Sequence, residues 1–356
     1  MMLPILLAGF LGFATASLQP PPAEKSAWPC PEPNDIFPCT CSESNLHIDL
    51  DCSNVADDYQ LQKVFQADFP FHVFRYLIIV KKTTEKRVPI TLLDETTFSN
   101  ISFSNIRISH TKLRDIAPNT FNNSLTRLET LLVTDSFLTT FPFDILIDCP
   151  LLTDLRVFKN NITHMSNIRS NSLTYLQVSQ NPYLRFEDQA FYNAPSLEYL
   201  LLNDIGLPHV AANSFSKQLH MKYLDLSHNR IEVLYTDALA LRYSPIEQIK
   251  LDGNRIRTVQ KGAISGLQQS IALWLQHNLL TNLTQQVWEP IFQSVDNSAE
   301  SNLIVLDDNP LVCDCNILWL VKRDSYLDSL ARGAWCHNSD QAIHEVDVAF
   351  LEENCI

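Results

Sequence analysis

Residues 221–231 read MKYLDLSHNRI, and residues 246–256 read IEQIKLDGNRI. Both stretches follow one pattern, with apolar residues at positions 1, 4, 6 and 11 and asparagine at position 9. Copies of this pattern recur along the chain, and from Phe103 onward they begin 25, 24, 21, 24, 24, 25, 24 and 31 residues apart. A step this constant indicates stacked repeats rather than scattered strands of a sandwich.

Each position of the pattern has a physical role. Positions 4 and 6 point to the same side of a short strand, so both side chains enter the core. Asparagine at position 9 can bond backbone groups where the chain leaves the strand. Three copies have Thr111, Ser136 or Ile205 there instead. Isoleucine cannot make these bonds, so we expect a looser turn at Ile205. Because one copy cannot bury its own apolar face, neighbouring copies must stack.

The pattern and its period are those of leucine-rich repeats. We therefore predict an α/β, mostly β, leucine-rich repeat solenoid with a curved parallel sheet, about ten repeats and disulfide-stapled caps at both ends. The predicted divisions are a signal peptide (1–16), a proline-rich lead (17–29), an N-terminal cysteine cap (30–70), the repeats (71–311) and a C-terminal cysteine cap (312–356).

Composition excludes several function classes. The chain has 356 residues, is 46% hydrophobic and carries a net charge of −14. A nucleic-acid partner is not expected, because binding phosphates needs clustered lysine and arginine. The sequence has seven glycines and lacks phosphate-binding glycine loops, GxSxG and HExxH. His228 and His277 are expected two repeats apart, too far for one metal ion. We predict a non-enzyme without cofactor or metal.

The first residues indicate secretion. Leu3–Phe13 is apolar, and Ala14-Thr15-Ala16 supplies small residues at a cleavage site. This run is shorter than the roughly 20 residues that span a membrane. No apolar run of that length follows. We therefore expect a secreted, extracellular protein without a membrane anchor.

Eight of the nine cysteines flank the repeats, four on each side. A solenoid exposes an apolar end at each terminus, and disulfides can staple a small cover over it. Zinc is the weaker interpretation, because the spacings are not those of CxxC pairs. Spacing alone leaves three connectivities open in each cap. The two groups are Cys30, Cys39, Cys41 and Cys52, and Cys313, Cys315, Cys336 and Cys355.

Cys149 is left over, in the outer connection beside Pro150. It could form an intermolecular bridge or be a reactive thiol. The interpretation we favour is a small buried hydrophobe.

Four Asn-x-Ser/Thr sequons, at Asn100, Asn122, Asn161 and Asn282, predict glycosylation of a secreted chain.

The outward positions of the strands predict a binding face. Tyr175, Tyr199 and Tyr223 occupy position 3 of three consecutive copies and should form a ladder. Exposed tyrosine, tryptophan and arginine are common interface anchors. Stacked tyrosines can also simply stabilise neighbouring strands, and both roles can hold together. The predicted partner-binding residues are Tyr175, Tyr199, Tyr223, Arg156, Phe158 and Trp274.

Charge on this face is expected to be uneven. Outward positions carry a net +2 in the first five copies and −5 in the last five. A partner with the complementary gradient would be steered by it.

The cysteine segments resemble the flanking caps of extracellular leucine-rich repeat proteins. Residues 30–52 have the spacing C-x8-C-x-C-x10-C, and residues 309–320 read NPLVCDCNILWL. In those families the first cysteine of a cap bonds the third and the second bonds the fourth. The resemblance implies Cys30–Cys41, Cys39–Cys52, Cys313–Cys336 and Cys315–Cys355.

A narrower resemblance lies in residues 30–41 (CPEPNDIFPCTC), 50–53 (LDCS), 60–65 (QLQKVF) and Phe69-Pro70. These are similar to the start of crustacean leucine-rich repeat proteins, a group that includes the non-catalytic subunit of a coelenterazine-using shrimp luciferase. The resemblance implies a secreted hetero-oligomer in which this chain binds and stabilises a small catalytic subunit via its concave face.

Two other functions stay open. One is an extracellular protein-binding module, of ligand or receptor-ectodomain type, unrelated to luminescence. The other is a matrix protein, which the single Ser-Gly pair, Ser265-Gly266, makes less favoured.

Overall fold

A computed structural model describes residues 29–242, 244–267, 271–295, 303–322 and 327–355. The predicted signal peptide, and the proline-rich lead up to residue 28, lie outside the described residues.

Within the described residues, thirteen strands form one sheet, in the order in which they follow along the chain. The first two strands pair antiparallel, and every later neighbour pair is parallel. The strands are β1 (Thr40–Ser44), β2 (His47–Asp51), β3 (Val73–Val80), β4 (Ser102–Ser109), β5 (Thr130–Thr134), β6 (Asp154–Arg156), β7 (Tyr175–Gln177), β8 (Tyr199–Leu201), β9 (Tyr223–Asp225), β10 (Gln248–Lys250), β11 (Ala272–Trp274), β12 (Leu303–Val305) and β13 (Ala331–Arg332).

Shorter elements lie in the connections. Paired two-residue strands are Leu92–Leu93 with Asp115–Ile116, Val233–Leu234 with Thr258–Val259, Leu239–Ala240 with Ile264–Ser265, and Trp335–Cys336 with Gln341–Ala342. The α-helices are α1 (Asp58–Val64), α2 (Gln285–Gln293), α3 (Leu318–Val321), α4 (Leu327–Leu330) and α5 (Val348–Asn354). Short 3₁₀ helices span Phe143–Asp148, Cys315–Ile317 and Ile343–Glu345.

Each sequence copy supplies one strand, so β3 to β12 are the ten repeat strands. Leu224 and Leu226, at positions 4 and 6, have no exposed surface, as the alternation of a strand requires. Phe191 and Phe215 fill the space under the outer connections, with ring centroids 6.0 Å apart. One strand per repeat in an ordered parallel sheet confirms the predicted leucine-rich repeat fold.

The position-9 asparagines tie each repeat to the one before it. The Asn254 amide nitrogen donates to the carbonyls of Leu226 and Leu251, each at 2.9 Å. Its Oδ1 accepts from the backbone N–H of Ile231 at 3.1 Å. This buried side chain therefore satisfies backbone groups that no strand can reach. The same geometry recurs at Asn181, Asn229, Asn278 and Asn309.

Where asparagine is missing, neighbours compensate. The hydroxyls of Thr111 and Ser136 bond each other at 2.7 Å. At Ile205 the next repeat supplies hydrogen bonds to the turn, so the turn is not the looser one that we expected. Asn229 Oδ1 accepts from two N–H groups there, Ile205 at 3.2 Å and Leu207 at 2.9 Å.

Disulfides lie near both ends of the sheet. They join Cys30 to Cys41, Cys39 to Cys52, Cys313 to Cys336 and Cys315 to Cys355, the four pairs that the resemblance implies. At the N-terminal end, Leu61 and Val64 of α1 are buried in the core. At the C-terminal end, the indole N–H of buried Trp319 donates to the Leu283 carbonyl at 2.8 Å.

Candidate protein-binding face

The open face of the sheet consists of the side chains at positions 3 and 5 of the repeats. Positions 4 and 6 fill the core, so positions 3 and 5 point to the opposite side. Tyr199 is 37% exposed on this face. The outward pattern is not uniform, because Asn105, Asp225 and Ala272 are buried although they occupy outward positions.

The three tyrosines form the ladder that the sequence predicts. Tyr199 on β8 pairs in register with Tyr175 on β7 and with Tyr223 on β9. Ring centroids are 5.7 Å apart for Tyr175–Tyr199 and 6.4 Å apart for Tyr199–Tyr223, with interplanar angles of 27° and 31°. We call these three residues the tyrosine stack. Because the rings contact one another and stay partly exposed, they both join strands and offer aromatic surface.

A cation lies at each end of the tyrosine stack. The Arg156 guanidinium carbon is 4.2 Å from the ring centroid of Tyr175, and the Lys250 ammonium is 5.8 Å from that of Tyr223. Both are cation–π distances. Asp154 fixes the arginine, since Nε bonds Oδ1 and Nη2 bonds Oδ2, each at 2.8 Å. A continuous row of charged and aromatic groups therefore crosses five strands, from β6 to β10.

The hydroxyls of Tyr175 and Tyr223 are neutral donors. Burial raises the pKa of Tyr175 and that of Tyr223, and Asp225 adds to the rise at Tyr223. The hydrogen bonds that Arg156 donates to Asp154 raise the pKa of Arg156. Burial lowers the pKa of Lys250, but its hydrogen bond with Tyr223 and the carboxylates nearby raise it overall. The row thus keeps two positive charges, at Arg156 and Lys250, and the protonated phenols of Tyr175 and Tyr223 near neutral pH.

The other predicted contact residues lie outside the stack. Trp274 pairs across the sheet with Lys250 and is half-buried. Its indole N–H is buried without a hydrogen-bond partner, which is a costly state for a donor. Phe158 follows β6 at position 7 and is half-buried.

Sequence reasoning did not select Lys250 and Asp154 as site residues. Each of the two residues belongs to the row because it contacts another residue of the row, not because it is itself exposed. Lys250 sits diagonally across from Tyr223, and Asp154 acts through Arg156. Diagonal neighbours on adjacent strands lie within reach of long side chains, so aligning position 5 of one copy with position 3 of the preceding copy identifies Lys250.

A second cation–π group lies nearer the N-terminal end. Tyr76 on β3 has the guanidinium carbons of Arg75 and Arg107 at 5.1 and 5.0 Å from its ring centroid. Arg75 is also bonded to Asp49, with Nε to Oδ1 at 2.9 Å. Arg107 is exposed. This group adds further positive charge to the first half of the open face.

Cys149 is 1% exposed, and its thiol donates to the Ile145 carbonyl at 3.3 Å. Burial, aided by Asp148, raises the pKa of this thiol to about 12. A protonated, buried thiol is a packing group rather than a nucleophile.

The asparagines of the four sequons are exposed, and none occupies position 3 or 5 of a repeat. Among the residues that the structure describes, no cluster of three or more His, Cys, Asp or Glu side chains is arranged to hold a metal ion. No helix in the described ranges has the length and apolar character needed to cross a membrane.

Two family descriptions match the repeats. "Leucine rich repeat" matches residues 171–231, and "BspA type Leucine rich repeat region (6 copies)" matches residues 71–181.

Among solved structures, a chain of an octameric complex of Latrophilin 3, Unc5D and FLRT2 has a TM-score of 0.64 at 20% identity. That alignment covers 87% of this chain and 90% of the other. A chain of a TLR13–ssRNA13 complex has a TM-score of 0.53 at 17% identity, over 72% of this chain and 34% of the other. At these identities the likeness concerns the fold alone.

Two curated relatives are informative. Toll-like receptor 3 of Boselaphus tragocamelus is 30% identical over 57% of this chain, but the match spans only 24% of the receptor. The Oplophorus-luciferin 2-monooxygenase non-catalytic subunit of Oplophorus gracilirostris is 29% identical over 92% of this chain and 88% of that subunit. The repeats, the ordered sheet and these matches give the chain a leucine-rich repeat fold, and the chain resembles this non-catalytic subunit along most of its length.

Proposed function

We propose that the chain is a secreted, non-catalytic subunit that binds a small catalytic coelenterazine luciferase subunit through the open face and stabilises it. The observation that carries the binding role is the tyrosine stack with Arg156 and Lys250 at its ends. The similarity to a non-catalytic luciferase subunit over 92% of the chain supports the choice of partner.

The chemistry of the row suits protein recognition. Tyrosine and arginine offer large contact surfaces, tyrosine has few flexible bonds, and both residues are enriched among the anchors of many interfaces. Asp154 holds Arg156 in place before the partner arrives, which lowers the entropy lost on binding. The half-buried indole of Trp274 adds aromatic surface beside Lys250.

Identification of the bound chain tests the partner. The protein is purified from its source under native conditions, and every chain that co-elutes is sequenced by mass spectrometry. We expect a small subunit that emits light with coelenterazine and loses activity faster after this chain is removed. Light from this chain alone would refute the non-catalytic role. A stable partner without luciferase activity would favour an extracellular protein-binding module instead.

Substitution of the stack tests the face. We expect Tyr175→Ala, Tyr199→Ala and Tyr223→Ala together to weaken partner binding about thirtyfold or more, since truncating one anchor typically costs about 2 kcal/mol. The matched control replaces three tyrosines that are exposed elsewhere, Tyr183, Tyr192 and Tyr235, with alanine. Calorimetry on both variants, with folding checked by circular dichroism, decides the matter. Equal affinities would place the contact outside the stack.

The divisions of the chain and the glycosylation of the sequons are further proposals. Cleavage after residue 16 is read from the N-terminus of the secreted protein. Occupancy at Asn100, Asn122, Asn161 and Asn282 is read from the masses of its glycopeptides.

A further inference from the structure

A groove of about 640 Å³ lies beside the last repeats, away from the open face. Val259 and Trp288, at 7% and 2% exposure, provide apolar surface at its base, and Leu279 is more exposed. Polar side chains complete the lining. The residues around the groove are Arg257, Thr258, Val259, Leu279, Leu280, Thr281, Asn282, Thr284, Trp288 and Pro310.

Asn282 heads a sequon and is itself part of this lining. Its side chain is exposed, and its amide nitrogen has a long bond of 3.3 Å to the Thr281 hydroxyl. The backbone beside it is fixed, because Leu283 is buried and its carbonyl accepts from the Trp319 indole at 2.8 Å. A group joined to Asn282 therefore starts inside the groove from a rigid position.

The lining also suits a sugar. A pyranose ring has an apolar face of C–H groups and a rim of hydroxyl and amide groups. The groove offers the matching set, with apolar contact at Val259 and Leu279 and hydrogen-bonding partners at Arg257 and Thr258. Sites for small polar ligands typically combine an apolar lining with a few placed polar groups.

We propose that Asn282 carries an N-linked glycan whose first N-acetylglucosamine units pack in this groove. The inference rests on the proposed secretion and not on the proposed partner. In the modification, the Asn282 amide nitrogen loses a proton and bonds to C1 of a lipid-diphosphate-linked oligosaccharide. The C1–O bond breaks, and the lipid diphosphate leaves with its electron pair.

The test uses the full chain secreted from insect cells, analysed by glycopeptide mass spectrometry and hydrogen exchange. We expect a glycan at Asn282 and slow exchange of residues 257–259. Both Asn282→Gln and Thr284→Ala remove the glycan, the second while keeping the asparagine. Each should speed exchange of residues 257–259 at least about fivefold, in the manner of a lost contact.

Asn161→Gln is the matched control, because Asn161 is an exposed sequon asparagine in an earlier repeat. It should leave exchange at residues 257–259 unchanged. An unmodified Asn282, or a glycan whose removal does not alter exchange in the groove, would overturn the proposal. Neither result depends on whether a luciferase subunit binds, so failure here is distinct from failure of the proposed function.

A second, independent observation concerns buried His110 at the end of β4. Its Nδ1 lies 3.0 Å from Asp135 Oδ2, and its Nε2 lies 3.0 Å from the Glu85 carbonyl oxygen. A carboxylate and a carbonyl only accept hydrogen bonds, so both contacts are satisfied only when both ring nitrogens carry protons. Neutral histidine leaves one ring nitrogen lone pair facing an acceptor.

These contacts hold the segment 81–87 (KKTTEKR) against the ends of the strands. Arg87 bonds the same Asp135 carboxylate, with Nη2 to Oδ1 at 2.9 Å, and Lys81 lies 3.8 Å from Glu85. We infer that His110 clamps this segment against the strand ends through its contacts with Asp135 and the Glu85 carbonyl.

Hydrogen exchange of residues 81–87 tests the clamp. We expect protection in His110→Gln to be about fivefold or more lower than in the parent chain. His209→Gln, a change at an exposed histidine, should behave like the parent. Equal protection of residues 81–87 in His110→Gln and in the parent would refute the clamp.

Discussion

Asn229 should matter more to stability than Asn254, because its Oδ1 accepts from two backbone N–H groups of the preceding repeat, Ile205 and Leu207. In Asn229→Ala, the carbonyl of Leu202 loses its side-chain donor, and the N–H groups of Ile205 and Leu207 lose their acceptor. The Leu226 carbonyl keeps the bond from Asn254. Three backbone groups are therefore left unpaired.

Asn254→Ala is the matched comparison, because Asn254 is 6% exposed and Asn229 is 5% exposed. In that variant the carbonyl of Leu251 keeps a bond from Asn278, so only the N–H of Ile231 is unpaired. A buried unpaired group costs about 1–3 kcal/mol. We therefore expect Asn229→Ala to lower the free energy of unfolding by at least about 2 kcal/mol more than Asn254→Ala.

Urea unfolding with the disulfides intact, followed by circular dichroism, measures this difference. Repeat proteins can unfold in parts, so amide exchange at Ile205, Leu207 and Ile231 supplies a local measure. In Asn229→Ala, exchange should rise at Ile205 and Leu207. Equal losses of stability in the two variants, with no local change at Ile205, would refute the assignment of a double role to Asn229.

Further predictions concern Cys149, the row on the open face and Asp135. Native Cys149 should resist thiol reagents and react only after unfolding, because its thiol is buried and its pKa is about 12; rapid native labelling would contradict this. Asp154→Asn should weaken partner binding about three- to tenfold by releasing Arg156, whereas Asp188→Asn, at an exposed site in an outer connection, should not. Burial raises the pKa of Asp135, but the bonds from Arg87 and His110 lower it overall. Ionised Asp135 therefore stabilises the fold at pH values above its unfolded-state pKa. This stabilisation is lost as the pH falls through the lower folded-state pKa. On acidification, the free energy of unfolding of Asp135→Asn should accordingly fall less than that of the parent chain. An identical pH dependence in the two chains would contradict this role of Asp135.

Most of the fold could be predicted from the apolar residues that recur in every repeat. Leu224 and Leu226 are apolar at a spacing that only a strand facing the core explains, and their copies define every repeat strand. The tyrosine stack followed from the same register, because Tyr175, Tyr199 and Tyr223 share one position of the pattern. Both inferences use only a residue's own position in its repeat.

Features that depend on two repeats at once were not predictable in this way. The extra bond of Asn229 requires knowing that its Oδ1 also reaches the N–H of Ile205 in the preceding repeat. The clamp on residues 81–87 joins Glu85, His110 and Asp135, which lie in three different copies. The pattern fixes which residues align across repeats, but it does not fix where a long side chain or an inserted loop bends.

The central claim is that a partner covers the tyrosine stack. Hydroxyl-radical footprinting of the native complex, compared with the isolated chain, tests it most directly because tyrosines elsewhere serve as internal controls. Oxidation of Tyr199 should fall at least about fivefold in the complex, together with that of Tyr175 and Tyr223, as expected for anchors at the centre of an interface. Tyr183 and Tyr235, at 66% and 47% exposure, should be oxidised equally in both samples. Unchanged oxidation of the stack, with protection at Tyr183 or Tyr235 instead, would contradict the account.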